Sequence, residues 1–170
     1  MHKKGAPRSV KFILIIVSDT RYREFKSGRV TSDKTSEIVR TILNQTQHKL
    51  VGIEYVPDEI ELIQKAVLEV IAMQKADVVL LSGGTGITKR DVTVQAIKPI
   101  LERELQGFSV LFHMLSYNDV GTATMISRAF AGVKAGIVIF GMPGSPNAVR
   151  LALKNIILPE ISLIVKHAKE

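Results

Sequence analysis

The chain has 170 residues, a length that suits one compact domain burying roughly two-thirds of the surface its unfolded chain exposes. Apolar residues make up 46% of it and aromatic residues 5%, which predicts a mainly aliphatic core, as in parallel sheets covered by helices. There is no cysteine, which excludes disulfides, thiolate zinc sites and cysteine nucleophiles. The net charge of +7 indicates attraction to anions, which include nucleic acids, phosphorylated metabolites and acidic proteins.

The N-terminal residues 1–9 are basic and aperiodic, and they predict a flexible tail ahead of a single domain over residues 10–170. The apolar run over residues 12–17 is too short for a signal sequence or a membrane span. We therefore expect a cytoplasmic protein without a membrane contact. Lysine and arginine are spread along the chain without an aromatic RNA-binding motif, so nucleic acid is not the expected partner.

The first half of the chain predicts strands alternating with helices. A β-branched-rich run predicts a strand over residues 10–17, and the charged stretch 21–30 predicts a loop. Ser32 or Asp33 can then cap a helix that ends near Thr46. The next segments predict, in order, a strand, a helix, a strand and a helix over residues 48–56, 58–75, 77–81 and 92–104.

The second half continues this alternation. Two helices and a strand are predicted, in order, over residues 107–119, 122–133 and 136–140. Ser145 and Pro146 then form the cap and first turn of a last helical region that reaches Ala168 and breaks near Pro159. Together the elements predict an α/β fold, a single-domain three-layer α/β/α arrangement with a mostly parallel sheet and right-handed crossovers.

The sharpest motif is the stretch LSGGTGITKRDVT over residues 81–93. Its three glycines allow a tight turn whose N–H groups point together, so phosphate is the natural ligand. The Gly-Lys-Ser/Thr ending of a P-loop is absent, and Lys89 stands where a dinucleotide fingerprint needs glycine. The alternative is that the glycines only make the strand-to-helix turn that any α/β protein needs.

Two carboxylates, Asp58 and Asp91, follow consecutive predicted strands at the edge where open parallel sheets bind ligands. If those strands are neighbours, the pair can hold Mg²⁺ beside substrate phosphates for phosphoryl or nucleotidyl transfer. The alternative is that each acid caps the helix that it precedes. The turn over residues 141–146 precedes another helix and is a second candidate anion site, unless it is only a rigid turn.

These motifs occur in an order that resembles the MoaB/MogA family of molybdenum-cofactor biosynthesis, to which the G domain of gephyrin is related. The resemblance runs from about Val10 to the C-terminus and implies a MogA-like fold. The segments that carry it are Ser18-Asp19-Thr20-Arg21, Pro57-Asp58-Glu59, residues 82–86 with Arg90-Asp91-Val92-Thr93, Ser127-Arg128, and Met142-Pro143-Gly144-Ser145-Pro146.

The resemblance implies a molybdopterin adenylyltransferase, in which the pterin's terminal phosphate attacks the α-phosphate of Mg-ATP to give adenylylated molybdopterin and pyrophosphate. Asp58 and Asp91 match the family's two functional carboxylates, which implies that they are catalytic and hold Mg²⁺. The implied partners are molybdopterin, ATP, further copies of the chain in a homotrimer or homohexamer, and a downstream metal insertase. The implied substrate-binding residues are Ser18, Thr20, Ser82, Gly83, Gly84, Thr85, Gly86, Arg90, Ser127, Arg128, Pro143, Gly144, Ser145 and Asn147.

The sequence departs from the family pattern at three places. Thr35-Ser36 stands where a Ser-Gly pair is common, Lys89 where Pro is frequent, and Val94-Gln95 where Pro-Glu is usual. The competing hypotheses are a non-catalytic molybdopterin-binding or scaffold member of the same family and a basic RNA-binding domain. The residues distinguish neither molybdenum from tungsten as the metal inserted later nor a trimer from a hexamer.

Overall fold

The computed structural model describes residues 4–170, so residues 1–3 of the predicted tail lie outside the described residues. Its centre is a six-stranded sheet in the order β2-β1-β3-β6-β5-β4. The strands are β1 Lys11–Val17, β2 Lys49–Val56, β3 Val78–Ser82, β4 Arg103–Glu104, β5 Phe130–Lys134 and β6 Ile137–Met142. The helices are α1 Asp19–Lys26, α2 Thr35–Asn44, α3 Ile60–Ala72, α4 Thr93–Ile97, α5 Gln106–Val120, α6 Pro146–Ala152 and α7 Leu158–Lys169.

Two hydrophobic cores lie on opposite faces of the sheet, which confirms the three-layer prediction. Alternate side chains of β1 point to opposite faces, so Leu14 packs in the core under α2, α5, α6 and α7, and Ile15 in the core under α3 and α4. Because both faces of the strand are covered, its sequence is a continuous apolar run.

The sheet is mostly parallel, as predicted, because β1 pairs in parallel with β2 and β3, and β3 with β6. The exception is β5, which is antiparallel to both β4 and β6. A two-residue turn joins β5 to β6, and its residues Ala135 and Gly136 have positive φ angles of 50° and 76°. Positive φ at both positions is typical of the tight turn that fits the twist of a hairpin.

Three sequence predictions of local structure were wrong. The predicted loop over residues 21–30 contains most of α1, whose residues are all at least partly exposed and therefore show no apolar stripe. The predicted helix 92–104 is α4 followed by a 3₁₀ turn at Lys98–Ile100, where Pro99 interrupts α-helical hydrogen bonding, and then by β4. The predicted helix 122–133 is a 3₁₀ segment, Gly121–Ile126, followed by β5.

The last helical region begins at Ser145, as predicted, and its side chain accepts a hydrogen bond from the N–H of Ala148 at 3.2 Å. The predicted break near Pro159 is not an interruption of the helix but a π-helical segment, Leu153–Ile157, after which Pro159 lies in the first turn of α7. A π segment widens the helix by one residue per turn, which lets the chain pass the proline. Across residues 4–170 we find no helix with the length and apolar character needed to span a bilayer.

Candidate active site

The carboxyl ends of the parallel strands bring the predicted motifs together at one edge of the sheet. The N–H of Ser18 donates to the carbonyl of Val56 at 2.9 Å, which joins the ends of β1 and β2. The N–H of Gly83 donates to the carbonyl of Met142 at 2.9 Å, and the hydroxyl of Ser82 donates to that of Pro143 at 3.3 Å. The glycine-rich loop and the late turn are therefore neighbours, as a shared binding edge requires.

Asp19 and Asp58 form a reciprocal pair across β1 and β2. The N–H of Asp19 donates to Asp58 Oδ2 at 3.1 Å, and the N–H of Asp58 donates to Asp19 Oδ1 at 2.9 Å. Arg90, which follows the glycine-rich loop, donates from Nη2 to Asp19 Oδ2 at 2.6 Å. Asp19 was not among the predicted site residues. Its position just after β1, at the binding edge of the sheet, could have indicated it.

The two carboxyl groups of this pair have pKa values that shift in opposite directions. The pKa of Asp19 is lowered by the backbone N–H of Asp58 and then by Arg90, so this carboxylate stays ionised. The pKa of Asp58 is raised by burial and by the charges of Asp19 and Asp91, against the N–H of Asp19. Ionised Asp58 is therefore a group whose charge a cation would stabilise.

Asp91 is fixed by the loop that precedes it. Its Oδ2 accepts hydrogen bonds from the N–H and the hydroxyl of Thr88 at 2.9 and 2.7 Å. The helices α3 and α4 begin after Glu59 and Val92, and in the described chain neither has a side-chain cap. Helix capping therefore does not explain the positions of Asp58 and Asp91.

The backbone of the glycine-rich loop leaves no room for a Cβ atom at Gly83 or Gly84. Gly83 and Gly84 have φ angles of +110° and +70°, and a Cβ on Gly84 would lie 2.2 Å from Thr93 Oγ1. Thr93 uses that hydroxyl to donate to the carbonyl of Gly83 at 2.8 Å, and its N–H donates to that of Gly84 at 3.0 Å. Thr93, the last residue of the Arg-Asp-Val-Thr motif, thus holds the loop in place through two hydrogen bonds.

Arg128 holds the same loop from the other side. Its Nε donates to the carbonyl of Gly86 at 2.7 Å, and its Nη2 donates to that of Asp91 at 2.9 Å. Its backbone N–H donates to the carbonyl of Thr85 at 2.7 Å. These bonds show that Arg128 stabilises the conformation of the loop. Its role in substrate binding stays a prediction.

Two neighbouring pockets share Gly144, which lines both of them. The first has a volume of about 450 Å³, and Ser18 and Ser82 belong to its wall. The second has a volume of about 350 Å³ and has mostly apolar walls. Of the predicted residues, those that line the second pocket are Gly84, Thr85, Gly86, Asp91, Ser127, Pro143, Gly144 and Ser145.

Six predicted residues line neither pocket, namely Thr20, Asp58, Gly83, Arg90, Arg128 and Asn147. Thr20 is exposed on α1, and Asn147 lines a neighbouring groove, where its Oδ1 accepts from Arg150 Nη1 at 2.7 Å. Several lining residues were not predicted; Arg21 belongs to the motif after β1 but was not singled out, and the others lie outside the motifs and reach the pockets only through tertiary packing. They are Arg21, Asp33 and Lys34 in the first pocket and Phe112 and Thr124 in the second.

The acidic residues suit a magnesium ion that is shared with a substrate. Within residues 4–170, no group of three or more His, Asp or Glu side chains could hold a metal by itself. Mg²⁺ is usually bound by one or two carboxylates together with substrate phosphates, and Asp58 and Asp91 are the acids that could contribute to such a site. The second oxygen of each carboxylate, Oδ1, accepts none of the hydrogen bonds described above.

The sequence over residues 13–162 matches a family described as "Probable molybdopterin binding domain". The chain belongs to this MoaB/MogA family. It is 44% identical over 164 residues to molybdenum cofactor biosynthesis protein B of Bacillus cereus, covering 96% of this chain and 93% of the relative. It is 42% identical over 176 residues to the molybdopterin adenylyltransferase of Pyrococcus furiosus, covering 99% of this chain and 97% of the relative.

Solved structures of the family have the same fold. A crystal structure of a molybdenum cofactor biosynthesis protein B superposes with a TM-score of 0.86 at 43% identity, covering 96% of this chain and 98% of the other. The tungsten cofactor synthesizing protein MoaB from Pyrococcus furiosus superposes with a TM-score of 0.83 at 39% identity, covering 97% and 100%. The MogA-like fold implied by the motifs is thereby confirmed.

Proposed function

We propose that this chain is a molybdopterin adenylyltransferase that acts in molybdenum-cofactor biosynthesis in the cytoplasm. The observation that carries the proposal is that Asp58 and Asp91 lie at one edge of the sheet beside the glycine-rich loop without capping a helix. Two carboxylates beside a turn of backbone N–H groups suit a reaction between phosphates. The relative from Pyrococcus furiosus bears the name of this activity, which supports the choice of substrates.

The reaction joins two phosphate-bearing substrates. An oxygen of the pterin's terminal phosphate forms a bond to the α-phosphorus of ATP. The bond from that phosphorus to the oxygen bridging the β-phosphate breaks, and pyrophosphate leaves with its electron pair. Two pockets that meet at Gly144 suit a reaction in which two substrates have to approach each other.

The residues of the chain position the reacting groups. Asp58 and Asp91 would hold Mg²⁺, which when bound neutralises phosphate charge and so favours attack by another anion. Asp19 fixes the backbone of Asp58 through the 2.9 Å hydrogen bond to its Oδ1. The N–H of Gly84, whose carbonyl accepts from Thr93, lies in the loop after β3, where a phosphate can accept a hydrogen bond from it; the N–H of Gly83 is already bonded to the carbonyl of Met142.

Turnover tests this proposal. Purified chain, ATP and molybdopterin are mixed across a magnesium titration, and adenylylated molybdopterin and pyrophosphate are measured. An adenylyltransferase produces both in equal amounts, and the rate depends on Mg²⁺. The scaffold alternative predicts molybdopterin binding without product. The RNA-binding alternative predicts affinity for RNA that falls steeply with salt and no response to pterin.

We also propose a homo-oligomer, a trimer or a dimer of trimers. The helix α5 has a second apolar face that is exposed in the single chain, where Val110, Met114 and Tyr117 lie one to two turns apart. Met125 and Ile126 of the 3₁₀ segment, which packs against α5, are exposed as well, and Met125 is 81% exposed. A contiguous apolar surface of this kind is typical of a protein–protein contact. A downstream metal insertase would then receive the product.

A further inference from the structure

His113 of α5 contacts the chain segment that holds the glycine-rich loop, although it lies outside the predicted functional motifs and lines neither of the two pockets. Its side chain is partly buried, and Nε2 lies 2.9 Å from the carbonyl oxygen of Ser127. Because a carbonyl oxygen only accepts hydrogen bonds, Nε2 is the donor in this contact. The contact joins a helix that covers one face of the sheet to the residues that precede β5.

The other ring nitrogen orients the imidazole within α5. Nδ1 lies 2.6 Å from the carbonyl oxygen of Ser109, one helical turn earlier, and 3.3 Å from the hydroxyl of the same residue. These contacts stay inside one helix, so they fix the direction of the ring without joining it to another element. The N–H at Nε2 therefore points at Ser127, and its contact is the one that leaves the helix.

Ser127 is the residue through which this contact reaches the site. The next residue, Arg128, donates from its backbone N–H, its Nε and its Nη2 to the carbonyls of Thr85, Gly86 and Asp91, respectively. A shift of Ser127 therefore shifts Arg128, and with it the backbone that carries the Asp91 carboxylate. The dipeptide thus connects α5 to an acid that would hold Mg²⁺.

We infer that His113 is a positioning residue, which through the Ser127 carbonyl keeps the Asp91 carboxylate in the geometry that adenylyl transfer requires. The inference rests on the proposed function. Since His113 lines neither pocket, it acts on the arrangement of the reacting groups and not on the affinity for either substrate. A displacement of about 1 Å at a reacting group can lower a rate by about a hundredfold, so the loss of this contact should be measurable.

Two variants of the full chain separate the roles of the two ring nitrogens. The amide nitrogen of Gln extends to the position of Nε2, whereas that of Asn extends only to the position of Nδ1. His113→Gln therefore keeps the donor to Ser127, and His113→Asn loses it. His167→Asn is the matched control, because it makes the same exchange at an exposed histidine of α7. For each variant, kcat and the KM values for ATP and molybdopterin are measured at saturating Mg²⁺, together with the melting temperature.

A second measurement does not depend on turnover. The backbone N–H of Arg128 is hydrogen-bonded to the carbonyl of Thr85, so its hydrogen exchange reports how often the dipeptide separates from the loop. Exchange at this amide is followed by NMR in the parent and in the three variants without substrates. Because no reaction is involved, failure of the inference can be distinguished from failure of the proposed function.

We expect His113→Asn to lower kcat by about tenfold, because a hydrogen bond that positions the loop is lost, while both KM values stay within about twofold of the parent's. The Arg128 amide of this variant should exchange about tenfold faster. His113→Gln should restore most of the rate and of the protection, and His167→Asn should match the parent in both. Both His113 variants lose the same ring, so their melting temperatures should be close to each other.

Parent-like kcat and exchange in His113→Asn would overturn the inference and leave the proposed function intact. Equal losses in His113→Gln and His113→Asn would also overturn it, because the ring and not its N–H would then matter. So would a higher KM at an unchanged kcat, which would show a role in binding. If the parent adenylylates no molybdopterin, the proposed function fails. Faster exchange in His113→Asn but not in His113→Gln would then still support the contact with Ser127, and unchanged exchange would overturn it.

Discussion

At the scale of single residues, the acids of the site have contacts that their positions in the sequence do not reveal. Asp58 accepts a hydrogen bond from Asp19, on the neighbouring strand end, and Asp91 accepts from Thr88, in the preceding loop. Neither acid bonds to the helix that follows it. Their charges are therefore available to a ligand, while their single hydrogen-bonded oxygens hold them in place.

The exchange Asp58→Asn should separate activity from stability. Asparagine keeps an oxygen that accepts the N–H of Asp19 but removes the charge, so adenylyl transfer should fall by about a hundredfold or more. Because the folded-state pKa of Asp58 is raised, its ionisation lowers stability as pH rises above the ordinary Asp value. At neutral pH the neutral variant should therefore melt at or above the parent's temperature.

Asp91→Asn should also lose turnover by about a hundredfold or more and stay folded, since its side-chain oxygen can still accept from Thr88. The measurements are turnover at saturating ATP across a magnesium titration and a thermal melt. Asp119→Asn, an exposed acid on α5, is the control and should leave both unchanged. Full turnover in both site variants would show that the carboxylates hold no catalytic metal.

The exchange Gly86→Ala tests how closely Asp91 has to be positioned. A Cβ on Gly86 would lie 2.7 Å from Asp91 Oδ2, so the carboxylate has to move. We expect turnover to fall by about tenfold or more, because small displacements of a reacting group are costly, while the chain stays folded. Gly107→Ala is the control, because a Cβ there meets nothing within 4 Å. Equal turnover in both variants would show that the position of Asp91 does not matter.

At the scale of elements, prediction from sequence succeeds where a face is buried. The runs that became β1 and β3 are apolar because both faces of the sheet are covered, and α3 shows its buried positions at helical spacing. The helix α1 was missed because none of its residues is buried. The strand β5 was missed because the prediction assumed alternating strands and helices. In the structure β5 is followed directly by β6 in an antiparallel hairpin.

The same distinction applies to the site. Asp58, Asp91 and the glycine-rich loop could be predicted because each follows a strand, and the ends of parallel strands meet at one edge. Phe112 and Thr124 could not, because they reach the second pocket only after α5 and the 3₁₀ segment pack against the sheet edge. No pattern in the local sequence encodes that packing.

The starts of β1 and β2 are joined by His48, which makes the stability of the fold depend on pH. The N–H of Val10 donates to His48 Nδ1 at 3.1 Å, and burial lowers the pKa of this histidine. A lowered folded-state pKa means that the unfolded chain binds the proton more readily. The stability is therefore complete above the ordinary histidine pKa of 6.5 and is lost as pH falls through it toward the lower folded value.

Urea unfolding at about pH 7.5 and 5.5, on either side of the ordinary histidine value, measures this effect. We expect the parent to lose stability between these conditions and His48→Leu, which cannot titrate, to lose less. His167→Leu removes an exposed histidine and should keep the parent's pH dependence. If His48→Leu loses as much stability as the parent, His48 does not account for the effect.

At the scale of the whole molecule, the apolar surface of α5 and the 3₁₀ segment is larger than one chain requires. Phe108 and Phe112 of α5 are buried in the core, whereas Leu111, Met114 and Tyr117 of the same helix face outward. The second pocket is bounded by the same two elements, through Val120 and Ile126. An oligomer formed through this surface would therefore lie next to the site and would hold its outer wall in place.

Light scattering at micromolar concentration tests the oligomer. The parent should have the mass of three or six chains, and Met114→Glu should shift it toward the monomer, because a charge at a covered apolar position has to be desolvated without a partner. Met114 is 62% exposed in the single chain, so the exchange should leave the fold of the monomer intact. Leu68→Glu is the matched control, since Leu68 is 42% exposed on α3, beneath the opposite face of the sheet, and its exchange should leave the mass unchanged.

A monomeric parent would contradict the proposed oligomer, and an unchanged mass in Met114→Glu would place the contact elsewhere on the surface. Turnover of Met114→Glu, measured beside its mass, then shows whether the site needs its neighbour.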